Sequence, residues 1–111
     1  MNPEDYESAF QIISCAGNAK SNAILAIRAA REGAPEKCAE YLAEADRDLR
    51  EAHQAQTEML TEEARGNAVK LNIILVHAQD HLTGALLVRD LAEELIQLHL
   101  RVFNTVDATT V

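Results

Sequence analysis

The third segment of the chain constrains the fold most, because it is apolar on two faces at once. At about 100° of rotation per residue, one face of a helix here is formed by Leu75, Ala78, Leu82, Ala85 and Leu86. A second face, with the 3-4-3-4 spacing of a heptad seam, is formed by Ile73, Val76, Asp80, Thr83 and Leu87. The alternative to a subunit contact is a helix sunk in the middle of its own bundle. Three helices cannot surround one of their own number, so the second face predicts contact with other copies of the chain.

Glycine and proline divide the remaining sequence into helices. Asn2 can cap a helix whose first position is Pro3, and Gly33 and Gly66 are typical of residues that follow a helix end. The predicted helices span residues 3–32, 35–65 and 69–103, and the tail 104–111 is expected to be flexible. Short connections make consecutive helices antiparallel. The sequence therefore predicts one all-α domain over residues 1–111, an up-down-up three-helix hairpin.

Composition excludes several classes of function. Apolar residues make up 48% of the chain and aromatic residues only 4%, which suits closely packed helices of Ala, Leu, Ile and Val. A net charge of −8 disfavours nucleic acid and anionic membrane surfaces as partners. No apolar run approaches the roughly 20 residues of a membrane span, and no basic leader precedes the first helix. Cys15 and Cys38 form no CxxC pair and are expected to be reduced. We expect a cytoplasmic protein without membrane insertion.

The sequence His-Ala-Gln-Asp-His, residues 77–81, places titratable groups inside the apolar third segment. Asp80 is on the predicted seam, where a symmetric assembly would bring it to its own copies. Crowded carboxylates repel, so they take up protons or bind a cation, and hard cations such as Mg²⁺ prefer oxygen ligands. Asp80 is therefore a candidate metal ligand at a subunit axis. The other interpretation is an exposed Asp on the rim of a helix.

His77 and His81 are spaced i, i+4 and share a flank between the seam and the core face, where a groove between subunits would open. Neutral imidazole is a good nucleophile near pH 7. The two rings with Asp80 could instead chelate Zn²⁺, or either His could be a hydrogen-bonded structural residue. In the second helix, His53 and Gln56 share one face and either line the same groove or form a polar rim.

Three segments together resemble one family. Residues 76–82, Val-His-Ala-Gln-Asp-His-Leu, resemble the signature of the enzyme IIA component of the lactose/cellobiose (chitobiose) branch of the sugar phosphotransferase system. The Ala-Gly-Asn-Ala-Lys-Ser segment at 16–21 resembles the family's first helix. Glu51-Ala52-His53 with Gln56-Thr57 resembles its second. The resemblance covers residues 6–103.

This resemblance implies a fold, a reaction and partners. Members are three-helix hairpins that assemble as homotrimers, hence nine-helix bundles. A phosphorylated histidine-containing phosphocarrier protein donates a phosphoryl group to a histidine of IIA. IIA passes it to a cysteine of the IIB component, and IIB phosphorylates a disaccharide as the membrane component IIC imports it. By motif position, the resemblance implies His77 as the phosphorylated nucleophile and His81 as a possible phosphoryl contact. It implies Gln79 as a supporting residue and Asp80 as the ligand of a divalent cation, Mg²⁺, on the trimer axis.

Thr83-Gly84-Ala85 departs from the family, which usually has a larger residue such as Met at the first of these positions. Gly84 in a helix costs roughly 1 kcal/mol relative to Ala. It either allows close helix contact or marks a divergent member. The alternative to a phosphocarrier is a metal-binding or regulatory helical bundle without phosphoryl transfer.

Overall fold

The structure is a computed structural model that describes residues 3–109. For residues 4, 5 and 106–109 it describes the backbone alone. Three helices account for most of these residues: α1, Pro3–Arg31; α2, Pro35–Ala64; and α3, Ile73–Thr109. The predicted all-α, three-helix fold is confirmed. The predicted cap Asn2 lies outside the described residues.

Both predicted glycine breaks have the backbone conformation that glycine favours. Gly33 and Gly66 have φ angles of 75° and 93°, in the left-handed region that L side chains rarely adopt. After α1, the Ala34 amide donates to the Ala29 carbonyl at 2.8 Å. After α2, the Asn67 amide donates to the Glu62 carbonyl at 2.9 Å. These backbone bonds satisfy carbonyls that the helix ends leave without partners.

α3 begins four residues later than the predicted residue 69. The Leu75 amide donates to the Asn72 side-chain Oδ1 at 3.0 Å, and the Val76 amide donates to the Asn72 carbonyl at 3.1 Å. Asn72 therefore acts as the N-cap, which leaves Val69 and Leu71 in the connection. Apolar spacing alone cannot separate such residues from a first helical turn.

α3 also continues through residues 104–109, part of the tail expected to be flexible. Residues 104–111 contain neither Gly nor Pro, so nothing there interrupts the helical hydrogen bonds. The Thr105 hydroxyl donates to the Arg101 carbonyl at 2.9 Å, a bond that a helix accommodates. Residues 110 and 111 lie outside the described chain.

α1 is the central helix: it packs along both α2 and α3, whereas α2 and α3 barely touch. Small side chains make the close packing possible. On α1 the fully buried positions are dominated by alanine, namely Ala9, Ala16, Ala19, Ala23, Ala26 and Ala30. Among the described residues, the large side chains that are fully buried are Ile12 and Leu82. The result is a slender rod of 65 × 19 × 19 Å.

One ion-pair network joins α2 to α3 directly. Arg89 donates from Nε to Asp46 Oδ1 at 2.6 Å and from Nη2 to Asp46 Oδ2 at 3.1 Å. Its Nη1 donates to Glu93 at 2.9 Å. The hydrogen bonds with Asp46 raise the pKa of the Arg89 guanidinium above its ordinary value. Since the Arg89 side chain is only 18% exposed, this bidentate pair fixes the positions of both helices.

The two predicted faces of α3 differ sharply in burial. On the core face, Leu75, Ala78, Leu82 and Ala85 are buried, whereas Leu86 is 41% exposed. All five residues of the second face are exposed. Exposed apolar residues continue this face to the far end of α3. We call the whole set the outer stripe: Ile73, Val76, Asp80, Thr83, Leu87, Leu91, Leu95, Leu98 and Val102.

Within the described part of the chain, none of the three helices has the length and apolarity required to cross a membrane.

Candidate functional site

Two histidine rings meet on the flank of α3 near its start. The Nε2 atoms of His77 and His81 are 3.0 Å apart, and the rings pack edge to face with centroids 4.4 Å apart. The helix makes this contact possible because residues four apart lie one above the other. His77 is exposed and His81 is half-buried. The pair is therefore open to a protein partner.

The hydrogen bond fixes the proton positions of the neutral pair. One Nε2 donates and the other accepts, so the two rings hold opposite tautomers. The accepting ring carries its proton on Nδ1 and keeps a lone pair on Nε2. That lone pair is the nucleophilic one. If His81 donates, then the Nε2 lone pair of the exposed His77 ring accepts that proton, and it becomes available to an incoming group when the His81 proton turns aside.

Asp80 lies on the outer stripe, between the apolar side chains of Val76 and Leu87. It is exposed, and it makes no hydrogen bond or ion pair with any side chain that the structure describes. A carboxylate at this position reduces the apolar area of the stripe and gains no partner among the described residues. Its two oxygens offer the hard donor atoms that Mg²⁺ prefers.

Gln79 lies on the other flank of α3, facing α2. The Gln56 Nε2 donates to the Gln79 Oε1, which ties α2 to α3 near the start of α3. The two amides belong to the wall of a groove of about 300 Å³, with Met59, Leu60, Val69 and Leu71 also in the wall. Within one chain, the structure thus brings His77 and His81 together and places Gln79 away from them.

The second helix contributes one of its two candidate residues. Gln56 is half-buried and hydrogen-bonded to Gln79. From its position beside the apolar residues of α2, the sequence indicated only a polar residue close to a groove. His53 is exposed and lies outside that groove. Sequence periodicity placed both on one face but gave no partner for either.

The zinc interpretation of His77, Asp80 and His81 finds no support in the geometry. Among the described residues, the three-ligand group whose donor atoms lie within 4.8 Å of one another is Cys15, Asp48 and Glu51. Asp80 does not come together with the two rings in this way. Two imidazoles without a third ligand do not complete a zinc site.

The Cys15 group is better explained by packing. The Cys15 thiol donates to Glu51 Oε2 at 3.4 Å. Burial, followed by the bond to Glu51, raises the pKa of this thiol to about 11. The thiol therefore keeps its proton at neutral pH and acts as a hydrogen-bond donor between α1 and α2.

Comparison with known proteins adds a family to this geometry. Residues 7–100 match the sequence model described as "PTS system, Lactose/Cellobiose specific IIA subunit". The lichenan-specific phosphotransferase enzyme IIA component of Bacillus subtilis is 42% identical over 99 residues, which cover 89% of this chain and 90% of that protein.

Solved structures agree with the sequence comparison. The cellobiose-specific enzyme IIA from Bacillus anthracis matches with a TM-score of 0.88 and 36% identity, covering 94% of each chain. The IIA(chitobiose)–HPr complex of the N,N'-diacetylchitobiose branch of the Escherichia coli phosphotransferase system matches with a TM-score of 0.75 and 33% identity. It covers 86% of this chain and 93% of the other. The predicted resemblance is confirmed: this chain belongs to the lactose/cellobiose-specific IIA family, a component of phosphotransferase-system sugar transport.

Proposed function

We propose that this chain is a phosphocarrier in which His77 receives a phosphoryl group from the phosphorylated histidine-containing phosphocarrier protein. It then passes the group to a cysteine of the IIB component, on the cytoplasmic side of the membrane, for disaccharide uptake through IIC. The observation that carries the proposal is the exposed His77 ring, whose Nε2 is 3.0 Å from His81 Nε2, in a chain of the IIA family. A solved IIA of the chitobiose branch, similar to this chain, is in complex with HPr.

The transfer needs an imidazole nitrogen with a free lone pair. In the tautomer in which His81 donates, its Nε2 proton occupies the Nε2 lone pair of His77. Once the His81 proton turns aside, that lone pair forms the new N–P bond while the N–P bond of the donor protein breaks. The donor nitrogen recovers its lone pair, so atoms and electrons balance. Most of the catalysis is positioning and charge stabilisation, which suits a ring held on a rigid helix.

His81 acts on the transferred group. Its Nε2 proton, which points to His77 before the reaction, is within reach of a phosphoryl oxygen once that group occupies His77 Nε2. A charge-assisted hydrogen bond of this kind is roughly twice as strong as a neutral one. His81 therefore stabilises the phosphorylated state, in which the negative charge is largest.

The outer stripe supports a homotrimer, assembled around an axis parallel to α3. Leu87, Leu91 and Leu98 are 60%, 51% and 55% exposed in one chain. Contiguous apolar surface on a monomer marks an interaction site. Copies of α3 packed along this stripe bury it and form the nine-helix bundle.

Asp80 fits a divalent cation, Mg²⁺, on the axis of that trimer. Three copies would bring three carboxylates together, and the donor set would be hard oxygen throughout. The cation would neutralise carboxylates that otherwise repel one another. It has a structural role, holding the subunits together.

A phosphorylation assay tests the function. The full-length chain is incubated with the radiolabelled phosphorylated carrier, and acid-labile, base-stable label is expected on the wild type. The His77→Ala variant is expected to take up no label, and His81→Ala is expected to lose label faster by hydrolysis. His53→Ala, on α2, and His99→Ala, near the far end of α3, are matched controls that keep the wild-type rate. Label on His77→Ala, or an unlabelled wild type, contradicts the proposal.

A further inference from the structure

A second polar residue follows Asp80 on the outer stripe. Thr83 is three residues further along α3, which corresponds to about 4.5 Å along the helix axis. Both side chains are exposed in the protomer. The flanking positions of the stripe are apolar, with Val76 before Asp80 and Leu87 after Thr83. The outer stripe thus contains one polar interval, formed by a carboxylate and a hydroxyl on successive positions of the seam.

The Thr83 hydroxyl has no partner within the described part of the chain. A threonine hydroxyl in a helix can donate to the backbone carbonyl four residues earlier, and those of Thr61 and Thr105 do so at 2.8 Å and 2.9 Å. Thr83 makes no such bond, nor any other hydrogen bond with a residue that the structure describes. In an assembly that buries the stripe this hydroxyl needs a partner, because burying an unpaired polar group is costly.

Helix geometry directs this hydroxyl toward the carboxylates. The Cα–Cβ bonds of a helix tilt toward its N-terminus, so the Thr83 side chain leans toward the level of Asp80. In copies related by rotation about an axis parallel to α3, equivalent residues form layers around the axis. A layer of hydroxyls then lies beside the layer of carboxylates. On the other side of Asp80 the stripe continues with Val76 and Ile73, whose side chains offer no hydrogen-bonding atoms.

We propose that Thr83 belongs to the cation site of this chain: its hydroxyls, one from each subunit, accept hydrogen bonds from water molecules on the cation that the Asp80 carboxylates hold. The inference rests on the proposed function, because it requires the axial cation and assembly through the outer stripe. It deepens that proposal by adding a second residue to the site. It also states which side of the cation stays hydrated.

The chemistry of Mg²⁺ suits a site shared between carboxylates and hydroxyls. Mg²⁺ prefers octahedral coordination by oxygen, dehydrates reluctantly and usually keeps several waters. The carboxylates of Asp80 approach it from one layer, and its waters need acceptors for their protons. Hydroxyl oxygens have lone pairs for this purpose, whereas a methyl group does not. A layer separation of about 4.5 Å leaves room for one shell of water, since hydrogen-bonded oxygens are about 2.8 Å apart.

Calorimetric titration of the full chain with MgCl₂, after divalent cations have been removed with a chelator, tests the proposal. Thr83→Val keeps the shape of the side chain and removes the hydroxyl. We expect its affinity for Mg²⁺ to fall about tenfold or more, because hydrogen bonds to waters polarised by the cation are lost. Thr83→Ser keeps the hydroxyl and is expected to bind nearly as tightly as the wild type. Thr61→Val removes a hydroxyl that is bonded within its own helix, so it is the matched control and keeps the wild-type affinity.

A second measurement separates this role from packing. Valine is more apolar than threonine, so Thr83→Val is expected to associate at least as tightly as the wild type when both are sedimented in the presence of a chelator. The affinity for the cation and the affinity between chains then change in opposite directions, which a poorly folded variant does not produce. Weaker association of Thr83→Val than of the wild type overturns the proposal. So does unchanged Mg²⁺ affinity, which would indicate that the hydroxyl turns to the Gln79 carbonyl.

The outcomes also distinguish this inference from the phosphocarrier function. A wild type that binds no Mg²⁺, or Asp80→Asn that binds it as tightly as the wild type, removes the axial cation and the role of Thr83 with it. Labelling of His77 is measured separately, so the phosphocarrier function survives that result. A wild type that takes no label but binds Mg²⁺ in a way that depends on Asp80 and Thr83 removes the phosphocarrier function alone.

Discussion

The two faces of α3 differ in side-chain size. The face against α1 interleaves small and large residues: Ala78, Ala85 and Ala92 are fully buried, and Leu75, Leu82 and Ile96 are buried between them. The face away from it carries leucines such as Leu87 and Leu91, which are more than half exposed. A buried alanine removes little apolar surface from water, whereas a leucine removes enough to contribute roughly 1.5–3 kcal/mol. The protomer thus buries a mixture of small and large residues on one face of α3 and leaves a row of leucines exposed on the other.

This difference shows that small and large apolar side chains serve different purposes on a helix. Small side chains let two helices pack closely, and large ones provide apolar contact area. Alanine lets α1 lie tightly against both neighbours, which fixes the angle at which α3 presents its other side. Leucine on that other side supplies the apolar area that the proposed assembly requires. Both faces come from one continuous helix, so changes that disturb one can be compared directly with changes that disturb the other.

The largest effect is expected from charge on the outer stripe. Leu91→Lys combined with Leu98→Lys places two cations per chain in the proposed interface, and burying them unpaired is prohibitive. Sedimentation is expected to show a folded monomer with unchanged helical circular dichroism. Leu25→Lys, at a 36% exposed position on α1, is the control and keeps the assembly. A double variant that still sediments as an oligomer would show that the stripe is not the interface.

A change on the inner face is expected to act on folding. Ala85→Leu inserts bulk where the side chain is fully buried between α3 and α1, and overpacking of this kind costs about 1–3 kcal/mol. Urea unfolding at fixed protein concentration measures it. The neighbouring Leu86→Ala, at a 41% exposed position, is expected to lower the free energy of unfolding by less, although it changes the side chain by the same three carbon atoms. The reverse order would mean that the inner face is loosely packed.

Replacing the carboxylate of the outer stripe tests whether charge or apolar area has the larger effect on association. Asp80→Leu replaces like charges by apolar contact, which is often neutral or stabilising. The association constant of the variant, measured in the presence of a chelator, is expected to range from unchanged to about tenfold tighter. A parallel measurement with Mg²⁺ is expected to give the same value as the measurement with the chelator. Asp80→Asn, which removes the charge and keeps the size, loses the Mg²⁺ dependence as well. Dissociation of Asp80→Leu into monomers would contradict an axial position.

The smallest effect is expected at Gly84. A Cβ added there meets no atom within 4 Å in the protomer, so Gly84→Ala should stabilise α3 by about 0.5–1 kcal/mol. Gly66→Ala is the control and is expected to lower the stability, because Gly66 has a φ of 93°, which L side chains rarely adopt. Thermal unfolding by circular dichroism compares the two. A loss of stability at Gly84 would show that another copy approaches this part of the helix closely.

The sequence predicted well what depends on neighbours along the chain. Gly33 and Gly66 ended helices as expected, and apolar spacing separated the inner and outer faces of α3, with Leu86 as the exception. The start of α3 was misplaced because Asn72 caps the helix through its side chain. Spacing does not reveal which of several polar residues before an apolar segment makes that bond.

Contacts between distant positions were beyond sequence reasoning. Asp46 belongs to a run of alternating charges, a pattern typical of a solvated helix face, yet it binds Arg89, 43 residues away. Likewise the motif placed Gln79 beside His77 in sequence, and only the packing of α2 on α1 shows that it faces Gln56. Both contacts depend on the rotation of one helix relative to another, which a single sequence does not encode in any local pattern.

The central position of α1 has a consequence for biosynthesis. The helix that contacts both others precedes them in the chain, so its contacts with α3 cannot form until α3, which begins at Ile73, has left the ribosome. The buried positions of α1 are largely alanine, which gives a nascent chain little surface by which to aggregate. The exposed leucines of the outer stripe belong to α3, the last of the three helices to be translated.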